Sequence, residues 1–357
     1  MRTRKDRRHG HGWFESPRWR AMRGVCYWVA TETRQPSVWL LPVAKEPLRA
    51  ARAGLWCRWP LGRAAFADKP RYRTPDYSSL DMTVVRVYPI RGGEIRLSPA
   101  FSVKPSGAGV VGQLHGWARQ LLRVGAAWQP VPTFAIEHPD EGLLLVDTGY
   151  DPSVDNDPAN TMGPSSRFIF DHRAEPVAPQ LEALGLGQPR IVVMTHCHMD
   201  HLSGLRQFSD AELLLDEAEL AIATRPGSSV NPGGYHPVLL REHQRIRAVT
   251  PKERWGVFDE TLDLFGDGSI RLLRTPGHTL GHLSLLLETE HGPVLLCGDA
   301  AHVERQLHEV LEMTVMQDRR GFRDSLGRIQ RHLTNNPNTI AIPGHDAVAW
   351  AALPNAF

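Results

Sequence analysis

From residue 82 onward, short apolar runs alternate with breaks rich in Gly, Pro and Asp, and the apolar period switches between two and about 3.6. Residues 83–90 have β character and are bounded by Arg91-Gly92-Gly93, which predicts a strand. Residues 98–112 read as a Pro/Gly/Ser loop. Residues 114–124 read as a short helix with Trp117, Leu121 and Leu122 on one side, placed to face a substrate or to pack. Strands are expected at 132–137 and 143–147, joined by the turn His138-Pro139-Asp140-Glu141-Gly142. The polar stretch 150–175 reads as a loop, 179–184 as a helix ended by Gly185, and 191–194 as a buried strand. A strand at 213–215, a helix at 217–224 and a Gly/Pro loop at 225–237 follow, the loop placed to cover a cleft. Strands at 270–274, 283–288, 294–297 and 339–342, with an amphipathic helix at 322–333, complete the pattern. Two successive runs of mixed strands and helices predict an α+β chain, a sandwich of sheets with helices outside.

Composition leaves this picture standing for most of the chain. Of 357 residues, 41% are hydrophobic and 22% charged, enough for a sizeable core. No run approaches the ~18 apolar residues of a membrane span. Residues 1–81 are different: they hold 17 Lys/Arg against 7 Asp/Glu and six of the ten tryptophans, without sustained periodicity. They lack the apolar core of a signal peptide. They are expected to be an unstructured basic extension, with Met82 a candidate for the native start. The remaining 24 Lys/Arg against 32 Asp/Glu make the body acidic, which argues against a nucleic-acid partner. Four cysteines (Cys26, Cys57, Cys197, Cys297) with no C-x-x-C pair suit a reduced, cytoplasmic setting and no disulfide framework. A homodimer is compatible with the pattern.

The chemistry gathers after strands. The 191–194 run delivers His196-Cys197-His198-Met199-Asp200-His201, four metal-competent residues within six positions. A polar loop that happens to be His-rich is the competing reading; the strand-end context weighs against it. Thr275-Pro276-Gly277-His278, Gly298-Asp299 and Gly344-His345 end three further strands in the same manner. Together they supply five His and two Asp, the inventory for two ions with a carboxylate between them. His282 and Cys197 are candidates for either ligand orientation or plain packing. No G-x-S-x-G nucleophile elbow is present.

These motifs, in this order, resemble the metallo-β-lactamase superfamily over about residues 82–357. The resemblance implies a four-layer αββα hydrolase domain. It implies His196, His198 and His278 on one metal, Asp200, His201 and His345 on a second, and Asp299 bridging. It implies that Asp147, in Val146-Asp147-Thr148-Gly149, orients a ligand His. Within the superfamily the sequence is most similar to the N-acyl homoserine lactonase group, on Met82-Thr83-Val84 leading into Tyr88, on Gln129-Pro130-Val131, and on the stretch from Thr275 to Leu285. Twelve residues follow His345, so no C-terminal domain of the glyoxalase II kind is expected. The implied cofactors are two divalent ions, zinc first, with Fe, Co or Mn as alternatives. The implied partner is a small-molecule lactone, opened by hydrolysis with Asp200 carrying the proton. The lactonases carry Tyr three residues after the bridging Asp; His302 stands there in this chain, a candidate hydrogen-bond donor to the substrate carbonyl. The alternatives are thioester, linear ester, phosphotriester or β-lactam hydrolysis on the same scaffold, or a mononuclear iron persulfide dioxygenase, which the full ligand set disfavours.

Overall fold

The computed structural model describes residues 83–157, 166–228 and 234–357. The basic stretch 1–81, with Cys26 and Cys57, lies outside the described residues. The apolar runs become β1 (Arg86–Leu97), β2 (Lys104–Pro105), β3 (Ala127–His138), β4 (Gly142–Val146), β5 (His172–Ala174), β6 (Ile191–Val193), β7 (Glu212–Asp216), β8 (Ile246–Val249), β9 (Glu253–Trp255), β10 (Phe258–Asp263), β11 (Ile270–Arg274), β12 (Leu283–Thr289), β13 (Gly292–Gly298), β14 (Leu311–Glu312) and β15 (Ile340–Pro343). A seven-stranded sheet has the order β5-β1-β3-β4-β6-β7-β8, and a six-stranded sheet the order β15-β13-β12-β11-β10-β9; β14 and β2 pair separately.

The central strands are apolar on both faces because both faces are covered. Successive side chains point to opposite sides of a sheet, and the core divides accordingly. Leu144 and Val146 of β4, Leu214 of β7, Leu272 of β11 and Leu283, Leu285 and Leu287 of β12 fill the layer between the sheets. Leu145, Leu213 and Leu215 point the other way, against Val177, Leu181, Leu202, Ala223 and Leu239 from the covering helices. On the far side of the second sheet, Leu273, Leu286 and Leu295 meet Phe322, Leu326 and Ile329. Those three sit at helical spacing on Arg319–Asn335, whose first turn is capped by the Asp318 carboxylate accepting from Arg320 N–H. The expected αββα order of layers is the one observed.

Strand direction places the site. β4, β6, β7 and β8 run parallel, as do β13 and β15. Ligands of open α/β sheets gather beyond the carboxyl ends of such strands. Asp147 follows β4, His196 follows β6, His278 follows β11, Asp299 follows β13 and His345 follows β15.

Several elements differ from the expectation. β1 does not stop at Arg91-Gly92-Gly93; a bulge between Arg91 and Glu94 carries it on to Leu97, paired with β3 and β5. The loop expected at 98–112 contains helix Pro99–Ser102 and the start of helix Gly109–Leu121. The loop expected at 150–175 contains helix Ser166–Ile169 and β5. Helix Pro237–Glu242 opens at the end of the 225–237 stretch, of which 229–233 lie outside the described residues. β8 and β9 escaped notice because edge strands bury little, and Ile-Arg-Ala-Val and Glu-Arg-Trp show no clean alternation. No helix among the described residues is long and apolar enough to cross a membrane.

Candidate metal centre

All seven residues expected to bind metal meet at one rim of the sandwich, each exposing less than a tenth of its surface. They form two groups. In the first, His196 Nε2 lies 3.1 Å from His198 Nδ1, which lies 2.9 Å from His278 Nε2. Nitrogens bound at ~2.1 Å to one cation stand about 3.0–3.4 Å apart, depending on the angle. In the second group, Asp200 Oδ2 lies 3.7 Å from His201 Nε2 and 3.4 Å from His345 Nε2. Asp299 divides its oxygens between them. Oδ2 is 3.2 Å from His278 Nε2 and 3.8 Å from His196 Nε2, while Oδ1 is 3.6 Å from His201 Nε2 and 3.4 Å from His345 Nε2.

The outward nitrogens fix which atom of each ring faces inward. An imidazole that donates from one nitrogen leaves a lone pair on the other. His201 Nδ1 donates to Asp147 Oδ2 at 2.7 Å, the hydrogen bond expected of Asp147. His345 Nδ1 donates to the Pro130 carbonyl at 2.8 Å and His278 Nδ1 to the Val315 carbonyl at 3.0 Å. Thr195 Oγ1 donates to Asp147 Oδ2 at 2.7 Å, so it accepts from His196 Nδ1 at 3.1 Å. His196, His201, His278 and His345 therefore turn Nε2 lone pairs into the centre. A proton on His198 Nδ1 can serve only one of its two close nitrogen neighbours, and the other contact sets lone pairs together unless a cation lies among them. The buried His201 Nε2 and Asp299 Oδ1 have no hydrogen-bond partner. The donor set and its orphaned atoms fit divalent metal.

Local backbone holds these groups in place. Asp147 sits at φ 58°, a left-handed conformation costly outside glycine and found where a site over-determines the chain. Its two oxygens bind Thr195 N–H (2.8 Å), the Thr195 hydroxyl and His201, which explains why the strain is sustained. Gly298 takes φ 52°, and a Cβ there would come within 2.8 Å of His282 Nε2. His282 is not a ligand. Its Nε2 accepts the Asp299 backbone N–H at 2.9 Å, leaving Nδ1–H for Thr275 Oγ1 at 2.9 Å. It positions Asp299, one of the two roles open to it on sequence.

Burial and charge set the protonation of this constellation. Burial pulls His198 down to about 4 and His282 down to about 3, and holds His196 and His278 well below the usual imidazole range. At His201 burial acts in the same direction, but the Asp200, Asp147 and Asp299 carboxylates outweigh it and raise the ring to about 9, so a cation binding there must displace a proton from Nε2. Burial also works against charge on Asp299, yet His302, His345, His278 and His201 hold its carboxyl well below the ordinary value.

His302 lies beside the Asp299 carboxylate, its Nε2 3.0 Å from Oδ2. A carboxylate only accepts, so that nitrogen carries the proton, and the buried Nδ1 is left without a partner. His302, Asp200, Phe101, Phe170 and Leu97 line a small cavity of about 30 Å³ over the centre. His198 borders both this cavity and an outer pocket of about 590 Å³, walled by Val110, Leu114, Trp117, Ile222 and Met316. Tyr235, Gln317 and Glu219 were not singled out on sequence. The Tyr235 ring stands 5.2 Å from His198, and its hydroxyl accepts from Gln317 Nε2 at 2.5 Å. Glu219 accepts the Cys197 N–H at 2.8 Å. No local signal marked them, because charged and amide residues near helix ends are ordinarily exposed.

Two mixed sheets flanked by helices, with a His-x-His-x-Asp-His turn and a shared aspartate at their rim, define a metal-dependent hydrolase. The chain belongs to the metallo-beta-lactamase superfamily, whose sequence profile matches residues 126–345. It is similar to the N-acyl homoserine lactonase AttM of Rhizobium johnstonii, at 30% identity over 243 residues covering 64% of this chain and 86% of the relative. It is also similar to a probable metallo-hydrolase of Mycobacterium tuberculosis, at 30% identity over 58% of this chain and 72% of that protein. Among solved structures, an N-acyl homoserine lactone hydrolase with N-hexanoyl-L-homoserine bound at its metal center shares the fold. That match has TM-score 0.60 and 21% identity, over 76% of this chain and 98% of the other.

Proposed function

We propose that residues 82–357 form a dinuclear hydrolase that opens the ring of N-acyl homoserine lactones. The observation that carries the reading is Asp299, whose two oxygens face two separate groups of ligands. His196, His198 and His278 would hold one ion; Asp200, His201 and His345 the other; Asp299 would belong to both. Zinc suits this N/O set best, with Fe, Co or Mn able to replace it. When bound, two such cations polarise an ester carbonyl and bring the pKa of a water from ~15.7 towards ~7.

The chain's own groups do the rest. In the reaction water adds to the lactone carbonyl, the ring C–O bond breaks, and one molecule leaves with a carboxylate and a hydroxyl. Asp200 lines the inner cavity and takes the proton shed by the water, passing it towards the leaving oxygen. His302 has its Nε2–H engaged by Asp299, so Nδ1 is the atom that serves the substrate. As a neutral ring Nδ1 accepts from an amide N–H; as an imidazolium it donates to a carbonyl. Phe101, Phe170 and Leu97 exclude bulk water, which strengthens every polar contact there. The apolar wall of the outer pocket, from Val110, Leu114, Trp117, Ile222 and Met316, suits an acyl chain, and the similarity to the AttM lactonase supports the same substrate class. Cys197 and Cys297 are free and buried, which suits a reducing compartment such as the cytoplasm.

The test is ring opening of N-acyl homoserine lactones of several chain lengths, with and without chelator. Turnover should vanish on chelation and return on adding zinc. Turnover of a thioester or phosphotriester, with no lactone opened, would retire the substrate while keeping the scaffold.

A further inference from the structure

Helix Glu217–Ala223 lies across two ligand-bearing loops that come from different sheets. Its Glu219 is fully buried, at 0% exposure. Oε1 accepts the backbone N–H of Cys197 at 2.8 Å, and Oε2 accepts the backbone N–H of Gly281 at 3.2 Å. Cys197 stands between His196 and His198. Gly281 stands three positions past His278, and a Cβ on it would collide with the Glu219 backbone. One carboxylate thus fixes the separation of the two loops that carry all three histidines of the first group.

The same carboxylate has an unbalanced charge. Among the described residues no Lys or Arg pairs with Glu219, and burial pushes its carboxyl up to about 7. A buried carboxylate with hydrogen bonds but no counter-charge is costly.

We propose that Glu219 is a positioning residue for the first metal group, spacing the two loops that carry its ligands. The proposal rests on the two-metal reading above. Orienting groups behind metal ligands typically change affinity about 10–100-fold when removed.

The experiment compares wild type, Glu219→Gln and Glu219→Asp, each full length. Readouts are zinc content, affinity by competition with a chromophoric chelator, and the visible spectrum of the cobalt form. The two sites are assigned with His198→Ala and His345→Ala. Wild type should hold two ions. Glu219→Gln should weaken the first group's ion about 10–100-fold and alter its cobalt band, leaving the second group's ion nearly unchanged. Glu219→Asp, which keeps the charge on a shorter arm, should weaken it less. Should the Gln variant not fold, the Asp variant carries the test, and an unchanged first-group affinity and cobalt band there overturns the proposal. Equal loss at both groups in either variant, or loss at neither, also overturns it. A wild type that binds no pair of ions overturns the two-metal reading itself, and this proposal with it.

Discussion

Every inward-facing histidine whose second nitrogen has a partner is committed by that partner, and this is where single residues decide the chemistry. Asp147 claims His201, Pro130 claims His345, Val315 claims His278 and Thr195 claims His196. The cluster of candidate ligands was legible in the sequence because each member follows a short apolar run within a compact motif. Glu219 and Tyr235 were not, because their relation to the centre exists only after distant segments meet. His302 is the residue at which this chain departs from the lactonase pattern, and its free Nδ1 gives a direct test. His302→Phe keeps an aromatic ring but offers neither substrate nor Asp299 a polar atom, so kcat should fall roughly 10²–10³-fold, the usual cost of one lost electrostatic contact at a reacting oxygen. His302→Tyr should recover part of the loss. Steady-state kinetics alongside metal content checks this; a Phe variant with full kcat would show that turnover needs neither nitrogen of His302.

At the level of elements, the strands buried on both faces read clearly from apolar runs: β4, β6, β7, β12 and β13 stand close to where the pattern put them. The edge strands β5, β8 and β9 and their neighbour β10 did not, and the helix expected at 114–124 starts earlier, as Gly109–Leu121. That helix starts inside what reads as a Gly-rich loop, and it leaves Val111 (79%), Leu122 (74%) and Leu114 (64%) exposed, so its apolar positions do not announce a buried face. Val110, Leu114 and Trp117 instead border the outer pocket. If an acyl chain lies there, Leu114→Asp removes contact with two or three methylenes, each worth ~0.8 kcal/mol. KM for long-chain lactones should then rise about tenfold or more, with short-chain substrates little affected. Equal effects across chain lengths would move the chain-binding surface elsewhere.

For the whole molecule, the αββα order was readable because runs of strands and helices came in two successive sets, and only one layering buries both. What could not be read is that the two sheets contribute unequally to one centre. His196, His198, Asp200 and His201 come from the first sheet's side, and His278, Asp299 and His345 from the second's. Each proposed ion is gripped from both. The layer between the sheets is held by non-directional apolar contact, which resists sliding only weakly; coordination is directional and spans the same seam at its edge. Metal would therefore act as a clasp on the sandwich. At free zinc 100-fold above Kd, linkage predicts about 2.7 kcal/mol of added stability per site. For a domain of this size that is a rise of roughly 5–10 °C in Tm. Calorimetry of metal-free and reloaded protein would show it as one cooperative transition moving upward, the two halves of the sandwich parting together.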